Sequence, residues 1–345
     1  MEKPEPVGSY TLADLQAFFL KNNEKPFRAA QIFEWIYQKN ALSYGQMTNL
    51  SKDLRSFLEV SCPFPVLKLK EVQASQDGET VKFLFELADG LLVESVFIRS
   101  FERRTLCVSS QVGCRSACSF CASGRRGFFR SLKTAEIVEQ LLLVQSHLKV
   151  KVSHVVFMGM GEPLDNLENV FQAIRVIHEP RGLNLSSRRI SVSTVGLLEG
   201  IDRLLNFELK VNLVLSLHAA SQKLREKLIP SAKANPLEAL LEKMALYAEK
   251  TSRDITFEYI LIDGCNSSEQ AALELCFLLK PFKHFSVNLI PYNPVAGLEL
   301  KRPAVREVEA FETILLQHHL PVTRRYTKGD DIGAACGQLA LRKID

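Results

Sequence analysis

The chain has 345 residues, 46% of them apolar and 24% charged, with a net charge of +4. That is the composition of a globular protein with an ample core, long enough for a large α/β domain and a smaller companion; the weak positive charge permits nucleic-acid binding without arguing for it. No apolar run approaches a membrane span and the opening MEKPEPVGSY lacks a secretory apolar stretch, so a cytoplasmic protein with no membrane contact is expected; its eight cysteines then argue against a disulfide framework, and a tight cluster among them reads as metal-binding or catalytic.

In chain order, TLADLQAFFLKN, FRAAQIFEWIYQKN and SKDLRSFLEV carry apolar residues at helical spacing. Thr11 with Asp14, and Ser51, supply N-caps. These segments predict a small helical domain over residues 1–75. Residues 76–99 read as a linker hairpin, two alternating strands broken by Asp89-Gly90. Residues 100–345 then repeat strand and helix: VSHVVFMGMG with LENVFQAIRVIHE, RRISVSTVG with LLEGIDRLLNF, KVNLVLSLHA with PLEALLEKMALYAEK, DITFEYILID with EQAALELCFLLK, and HFSVNLIPYN with VREVEAFETILLQHH before PVTRRYT. Apolar strands alternating with amphipathic helices imply a parallel sheet flanked by helices. About six such units fall short of the eight of a closed barrel. The predicted fold class is therefore α/β, a partial (β/α)6 barrel, with functional loops at the C-terminal ends of its strands.

Four of the eight cysteines fall within residues 107–121. Cys114, Cys118 and Cys121 share one short loop, able to hold three corners of an iron–sulfur cubane and leave one iron open. On spacing alone a zinc site completed by Cys107 fits equally well. Gly159-Met-Gly161-Glu162-Pro163 follows a strand, and Ser191-Val-Ser193-Thr194 and Ser216-Leu217-His218 place polar groups at two further strand ends.

The CxxxCxxC spacing with an aromatic before its last cysteine resembles the radical S-adenosylmethionine enzymes. That resemblance implies a 4Fe–4S cluster on Cys114, Cys118 and Cys121, its open iron chelated by S-adenosylmethionine, with Phe120 near the adenine or simply packed in the core. Gly161 and Glu162 then contact the methionine amino group, and Ser193, Ser216, Leu217 and His218 the ribose and carboxylate. A closer likeness runs over nearly the whole chain. LCVSSQVGCRSACSFC, VVFMGMGEPLDN, RRISVSTVGL, SLHA, ITFEYILIDG, VNLIPYNPV and GDDIGAACGQL resemble the RlmN/Cfr group of RNA adenine methyltransferases, as KPFRAAQIFEWIYQKN and MTNLSKDLR resemble its N-terminal RNA-binding domain.

This resemblance implies a two-step reaction consuming two S-adenosylmethionine molecules. Cys336 takes a methyl group by displacement, which needs a thiolate. A 5′-deoxyadenosyl radical then abstracts hydrogen from that S-methyl, and the methylene radical adds to the adenine ring. Cys107 deprotonates the adduct or closes a disulfide with Cys336 to release the product. Glu94 matches a proton acceptor, with a solvated strand glutamate as the alternative, and Asn293 a cofactor contact, with an Asn-Pro turn as the alternative. Cys62, Cys265 and Cys276 match nothing and are expected to be packing residues. Arg125, Arg126 and Arg130 are expected to meet phosphate; for these, as for Arg188 and Arg189, the alternative is a solvated face. Lys328 before Gly329, and Ser123 within Ala122-Ser123-Gly124, depart from the group's commoner arginine and threonine. The implied activity is methylation of adenosine carbon 2 in 23S ribosomal RNA and in tRNA beside the anticodon, by a monomer that draws electrons from a reductant such as flavodoxin. A Cfr-like enzyme acting on carbon 8 is the alternative within the group, and an iron–sulfur RNA-binding redox sensor the alternative outside it.

Overall fold

The computed structural model describes residues 4–64 and 67–339, so the end of the predicted barrel domain, 340–345, lies outside the described residues. Near the N-terminus stand α1 (Leu12–Lys21), α2 (Phe27–Phe33), which runs on into a π-helical turn at Glu34–Gln38, and α3 (Lys52–Ser61). Thr11 caps α1 reciprocally: its hydroxyl accepts the Asp14 N–H, and its own N–H donates to the Asp14 carboxylate at 3.0 Å. Ser51 caps α3 by accepting the Leu54 N–H. Leu15, Phe19, Ile32, Phe33, Leu54 and Leu58 are buried and form the inner stripe of the three helices.

Three antiparallel strands follow, β1 (Lys68–Ala74), β2 (Thr80–Glu86) and β3 (Leu92–Ser100), and β3 also pairs antiparallel with β4 (Arg103–Cys107). The predicted Asp89-Gly90 turn joins β2 to β3, with Gly90 at φ +80°. Next come β5 (Gln111–Gly113), a short α4 (Ala122–Arg125), β6 (Phe128–Ser131) paired with β5, and α5 (Thr134–Leu148). The alternating units are β7 (His154–Phe157), α6 (Leu167–His178), β8 (Ile190–Thr194), α7 (Leu198–Leu205), β9 (Asn212–Ser216), α8 (Gln222–Leu228), α9 (Leu237–Thr251), β10 (Ile255–Leu261), α10 (Glu269–Leu279), β11 (Phe285–Pro291), α11 (Val305–Gln317) and β12 (Val322–Arg324).

All these strands except β5 and β6 form one open sheet, ordered β1-β2-β3-β4-β7-β8-β9-β10-β11-β12, parallel from β4 onward. This is the partial barrel: six strand–helix units from β4 to α11, closed off by the short β12. The hairpin is part of that sheet, because β3 hydrogen-bonds to the first parallel strand. The N-terminal helices dock on the barrel's outside. Gln172 of α6 donates to the Ser9 carbonyl and to Asp14 at 2.8 Å, and the Leu67 N–H donates to Glu139 of α5 at 2.9 Å. Among the described residues no helix is long and apolar enough to cross a membrane.

The parallel strands share one direction, so their C-terminal ends open on one mouth. Cys107 ends β4, Glu162 follows β7, Ser193 lies near the end of β8, Ser216 ends β9 and Asn293 follows β11. The topology brings these residues, with Gly161, Leu217 and His218, to that mouth, while Phe120 comes from the cysteine loop after β5.

Candidate active site

The cysteine loop is pinched shut at its base. Gly113, at φ +77°, lies so near the Gly127 carbonyl that a Cβ there would sit 1.9 Å from its oxygen, and the Cys114 N–H donates to the same carbonyl at 3.0 Å. Within the loop Ala117 takes a left-handed conformation, φ +51°, and α4 packs back so closely that a Cβ on Gly124 would lie 3.0 Å from the Cys118 nitrogen. Cys118 and Phe120 sink into an apolar cluster with Ala219, Ile260, Ile262 and Tyr292. Burial pushes the Cys114 thiol up to about 11 and raises Cys118 well above the usual thiol range, and Cys118 also feels Cys121 and Cys114. The three thiols therefore influence one another in a low-polarity setting, where loading a metal must displace their protons.

The Gly159-Glu162 turn serves the fold first. A Cβ on Gly159 would meet Ser109 Oγ at 2.6 Å, and one on Gly161, at φ +100°, would meet Gln111 at 2.5 Å, so both glycines admit the chain's own 108–111 segment. Glu162 is buried; its two carboxylate oxygens accept the Leu164 N–H at 3.0 Å and the Val195 N–H at 2.8 Å. Desolvation lifts its carboxyl to about 7 against these hydrogen bonds, so the side chain bridges the β7 and β8 ends at the edge of its ionisation range. His218, at φ +60°, accepts the Ile260 N–H on Nδ1 at 3.1 Å, which fixes the Nε2–H tautomer, and meets the Phe120 ring edge-on at 4.9 Å. Burial holds its imidazole down to about 3, so it stays neutral. Ser193 and Ser216 are half-buried, while Leu217 is fully buried and offers a ligand only its backbone.

Residues 328–339 are strapped across the mouth. Ala122 donates its N–H to the Gly337 carbonyl at 2.8 Å and Ser123 its hydroxyl to Leu339 at 2.6 Å, tying the segment to the cysteine loop. The serine at position 123 thus still supplies a hydroxyl contact. Lys82 donates to the Ile332 carbonyl at 2.7 Å and pairs with Glu94 at 3.4 Å, and Lys328 pairs with Glu79 at 2.7 Å. Asn293 is wholly engaged here: its amide donates to the Cys336 carbonyl at 3.2 Å, and its oxygen accepts from Arg302 at 2.6 Å and Thr327 at 2.9 Å. It holds the cysteine segment in place, whatever else it touches.

Cys336 itself is solvent-accessible, yet the protein packed around it, and then the Glu258 carboxylate, push its thiol up to about 11, with Arg325 opposing. Cys107 is raised by burial and then by Cys336, which places the two thiols within electrostatic reach. Both are free, so no disulfide joins them in this structure. Glu94 is buried and ion-paired, which rules out the solvated strand glutamate. It lines a cleft of about 370 Å3 with Lys82, Arg125, Arg126, Gly333 and Gln338, floored by β2 and β3 and walled by α4 and the strapped segment.

Whether a negatively charged cofactor fits is answered by Arg225 of α8. Its guanidinium is fully buried, yet Nε and one terminal nitrogen have no partner among the described residues. Each buried unpaired N–H costs about 1–3 kcal/mol, more on a charge, which cancels much of what its carbonyl bonds to Val195 and Ser216 return. An anion would supply the missing partners, so the residues fit a negatively charged cluster held by Cys114, Cys118 and Cys121, or the carboxylate of S-adenosylmethionine. Among the described residues no three His, Cys, Asp or Glu side chains are grouped to hold a single metal ion.

Two sequence expectations change. Arg130 is not free for phosphate, because Asp89 at 2.6 Å and Glu136 at 2.8 Å hold its guanidinium; Arg125 and Arg126 remain exposed at the cleft. Cys265 is exposed rather than packed, unlike Cys62 and Cys276. Two site residues went unread. Arg225 sits in QKLREKL, a charged segment with no motif to single it out, and Glu258 interrupts the apolar strand ITFEYIL. On β10 the Phe257 and Tyr259 rings pack against Phe282 and Phe311, so Glu258 points into the barrel between them. A lone carboxylate in a parallel strand was the available signal.

Two family models match the chain: the ribosomal RNA large subunit methyltransferase N-terminal domain over residues 8–63, and the radical SAM superfamily over residues 108–276. A "Probable dual-specificity RNA methyltransferase RlmN 2" from Protochlamydia amoebophila is 56% identical, covering 93% of this chain and 90% of that one. A "Probable dual-specificity RNA methyltransferase RlmN" from Caldicellulosiruptor saccharolyticus is 43% identical over 97% of each chain. A crystal structure of a radical SAM methyltransferase from Sphaerobacter thermophilus superposes with a TM-score of 0.95 at 41% identity, covering 97% of this chain and 99% of that one.

Proposed function

The chain belongs to the RlmN family of radical S-adenosylmethionine RNA methyltransferases, which use a 4Fe–4S cluster and S-adenosylmethionine, and from that premise we propose that it methylates carbon 2 of an adenosine in 23S ribosomal RNA and in tRNA, through a methyl group carried on Cys336. The observation that carries this reading is the strapping of Cys336 beside the cysteine loop, by Ala122 to Gly337 at 2.8 Å and Asn293 to the Cys336 carbonyl at 3.2 Å. A metal-binding module has no use for a tail cysteine held there, and a redox sensor wants an accessible thiol of low pKa, whereas the surroundings of Cys336 push its thiol up to about 11.

In this reading Cys114, Cys118 and Cys121 hold the cluster, and Phe120, Gly161, Glu162, Ser193, Ser216, Leu217, His218 and Asn293 line the S-adenosylmethionine site. When bound, these groups supply a methyl electrophile and a hydrogen-abstracting radical. The chain's own residues do the rest. Cys336 takes the methyl as a thioether and presents it to the base. Asn293, Ala122 and Ser123 fix the segment that carries it. Cys107 accepts a proton from the methylated adduct or attacks the Cys336 sulfur, forming the disulfide as the sulfur–carbon bond to the base breaks. The cleft walled by Arg125, Arg126 and Gln338 admits the adenine, which must leave its stack to enter. Neutral His218 and the apolar wall beside Phe120 keep water from the radical. Electrons come from a small redox protein such as flavodoxin, and the enzyme acts as a monomer.

Mass spectrometry of adenosine from RNA incubated with the enzyme, S-adenosylmethionine and reductant tests the assignment. The expected product is 2-methyladenosine; 8-methyladenosine alone would move the chain to the Cfr-like reaction. A pH test follows from the raised Cys336 thiol. Methyl transfer consumes the thiolate, and a thiol at about 11 is mostly protonated at neutral pH. Methylation of Cys336, followed by peptide mass spectrometry without reductant, should therefore speed up about tenfold per pH unit between roughly pH 7 and 9. A rate flat across that window means that a neighbouring base, with Glu258 the nearest candidate, removes the proton.

A further inference from the structure

Arg225 heads the large side chains that the protein encloses completely, and the proposed reaction gives it no task. Its helix is latched to the cysteine loop, since the Leu228 carbonyl at the end of α8 accepts the Ser119 N–H at 2.9 Å. Loop and helix therefore hold Cys118 and Arg225 as one rigid piece. One terminal nitrogen of the guanidinium donates to the Val195 and Ser216 carbonyls, the latter at 3.3 Å, which pins the group at the ends of β8 and β9. Nε and the other terminal nitrogen are buried without partners, and the guanidinium lies within electrostatic reach of two ionisable side chains, Cys118 in the cysteine loop and neutral His218 after β9.

Three thiolates and their cluster bring net negative charge into an apolar pocket, and reduction adds one electron more. Charge in such surroundings is costly unless a fixed counter-ion is built in, and hydrogen bonds to sulfur together with net local charge set a cluster's potential. We propose that Arg225 is the built-in countercharge of the iron–sulfur cluster, its unpartnered N–H groups donating to anionic sulfur on the Cys118 side. This rests on the reading that Cys114, Cys118 and Cys121 hold the cluster. The rival occupant is the carboxylate of S-adenosylmethionine, and the stiff link between α8 and the cysteine loop favours the cluster.

The test uses anaerobically reconstituted holoenzyme, first without S-adenosylmethionine. Redox titration followed by electron paramagnetic resonance compares the wild type with Arg225→Gln and Arg225→Lys. Loss of the charge should cut the reduced fraction at a fixed potential about tenfold, a shift of about 59 mV for a one-electron couple. Arg225→Lys, which keeps a charge but not the fork, should fall between. S-adenosylmethionine binding, measured by equilibrium dialysis, should change far less. An unchanged potential overturns the proposal: with weakened S-adenosylmethionine binding it makes Arg225 the carboxylate's partner, and with only a lower melting temperature it makes it a structural brace. Should Arg225→Gln fail to fold, 15N-arginine-labelled wild type decides. A guanidinium nitrogen coupled to the reduced cluster, and absent from Arg225→Lys, supports the proposal; no such coupling overturns it. Wild-type protein that takes up no cluster would instead sink the underlying assignment of the three cysteines, an outcome visible before any variant is made.

Discussion

Cys336→Ala should abolish RNA methylation, leaving less than about a thousandth of the wild-type rate because the covalent carrier of the methyl group is gone, while iron content and melting temperature stay at wild-type values. The separation follows from where the residue sits. Its side chain is exposed, and the segment is held by backbone and neighbouring groups: the Cys336 carbonyl on Asn293, the Gly337 carbonyl on Ala122, the Gln338 amide on Pro294 at 3.0 Å and Asp330 at 2.6 Å. Removing one sulfur deletes none of these. Asn293→Ala is the informative companion, because it keeps the thiol and removes its anchor together with the contacts to Arg302 and Thr327. It should slow methylation by about ten- to a hundredfold, the loss expected when a reacting group is misplaced by about an ångström. Methylated adenosine quantified by mass spectrometry, beside iron analysis on the same preparations, reads both variants. Substantial turnover in Cys336→Ala would end the carrier role and require the methyl group to reach the base by another route.

The barrel was legible because its strands are short, apolar and buried on both faces, and its helices carry clean amphipathic stripes. Segments such as ITFEYIL and LENVFQAIRVIH admit little else. What escaped was structure whose cause lies far away in the chain. β1, KLKEVQA, is a half-exposed edge strand with a bulge after Leu69, and β4, RRTLC, is short and charged; each is a strand only because β2, β3 and β7 lie alongside. For the site, the three-cysteine spacing is local and was readable as such. Arg130 looked like a free cation because one partner, Asp89, is 41 residues earlier and the other, Glu136, is brought round to it only by the turn into α5. Glu162 looked like a ligand group, and the two N–H groups that its carboxylate accepts, Leu164 and Val195, follow two different strands. Arg225 could not be read at all, since a buried guanidinium and a solvated one have the same sequence.

Gly113→Ala should prevent the cysteine loop from taking up its cluster. The residue stands directly before Cys114 at φ +77°, where a side chain costs about 1–2 kcal/mol for the left-handed backbone alone. That strain would be survivable. The contact is not, because the new Cβ would lie 1.9 Å from the Gly127 carbonyl oxygen, which also accepts the Cys114 N–H. Neither partner can yield cheaply, since both are backbone in the paired β5 and β6 strands or the turn between them. The base of the loop must therefore open, carrying Cys114 away from Cys118 and Cys121. Gly127→Ala separates strain from clash: Gly127 is also left-handed, φ +75°, but a Cβ there meets nothing within 4 Å. It should lose stability by about 1–2 kcal/mol and still bind iron. Iron and sulfide per chain after anaerobic reconstitution measure the difference, and a Gly113→Ala protein that loads like the wild type would mean that the pinch at the loop's base does not set the spacing of its thiols.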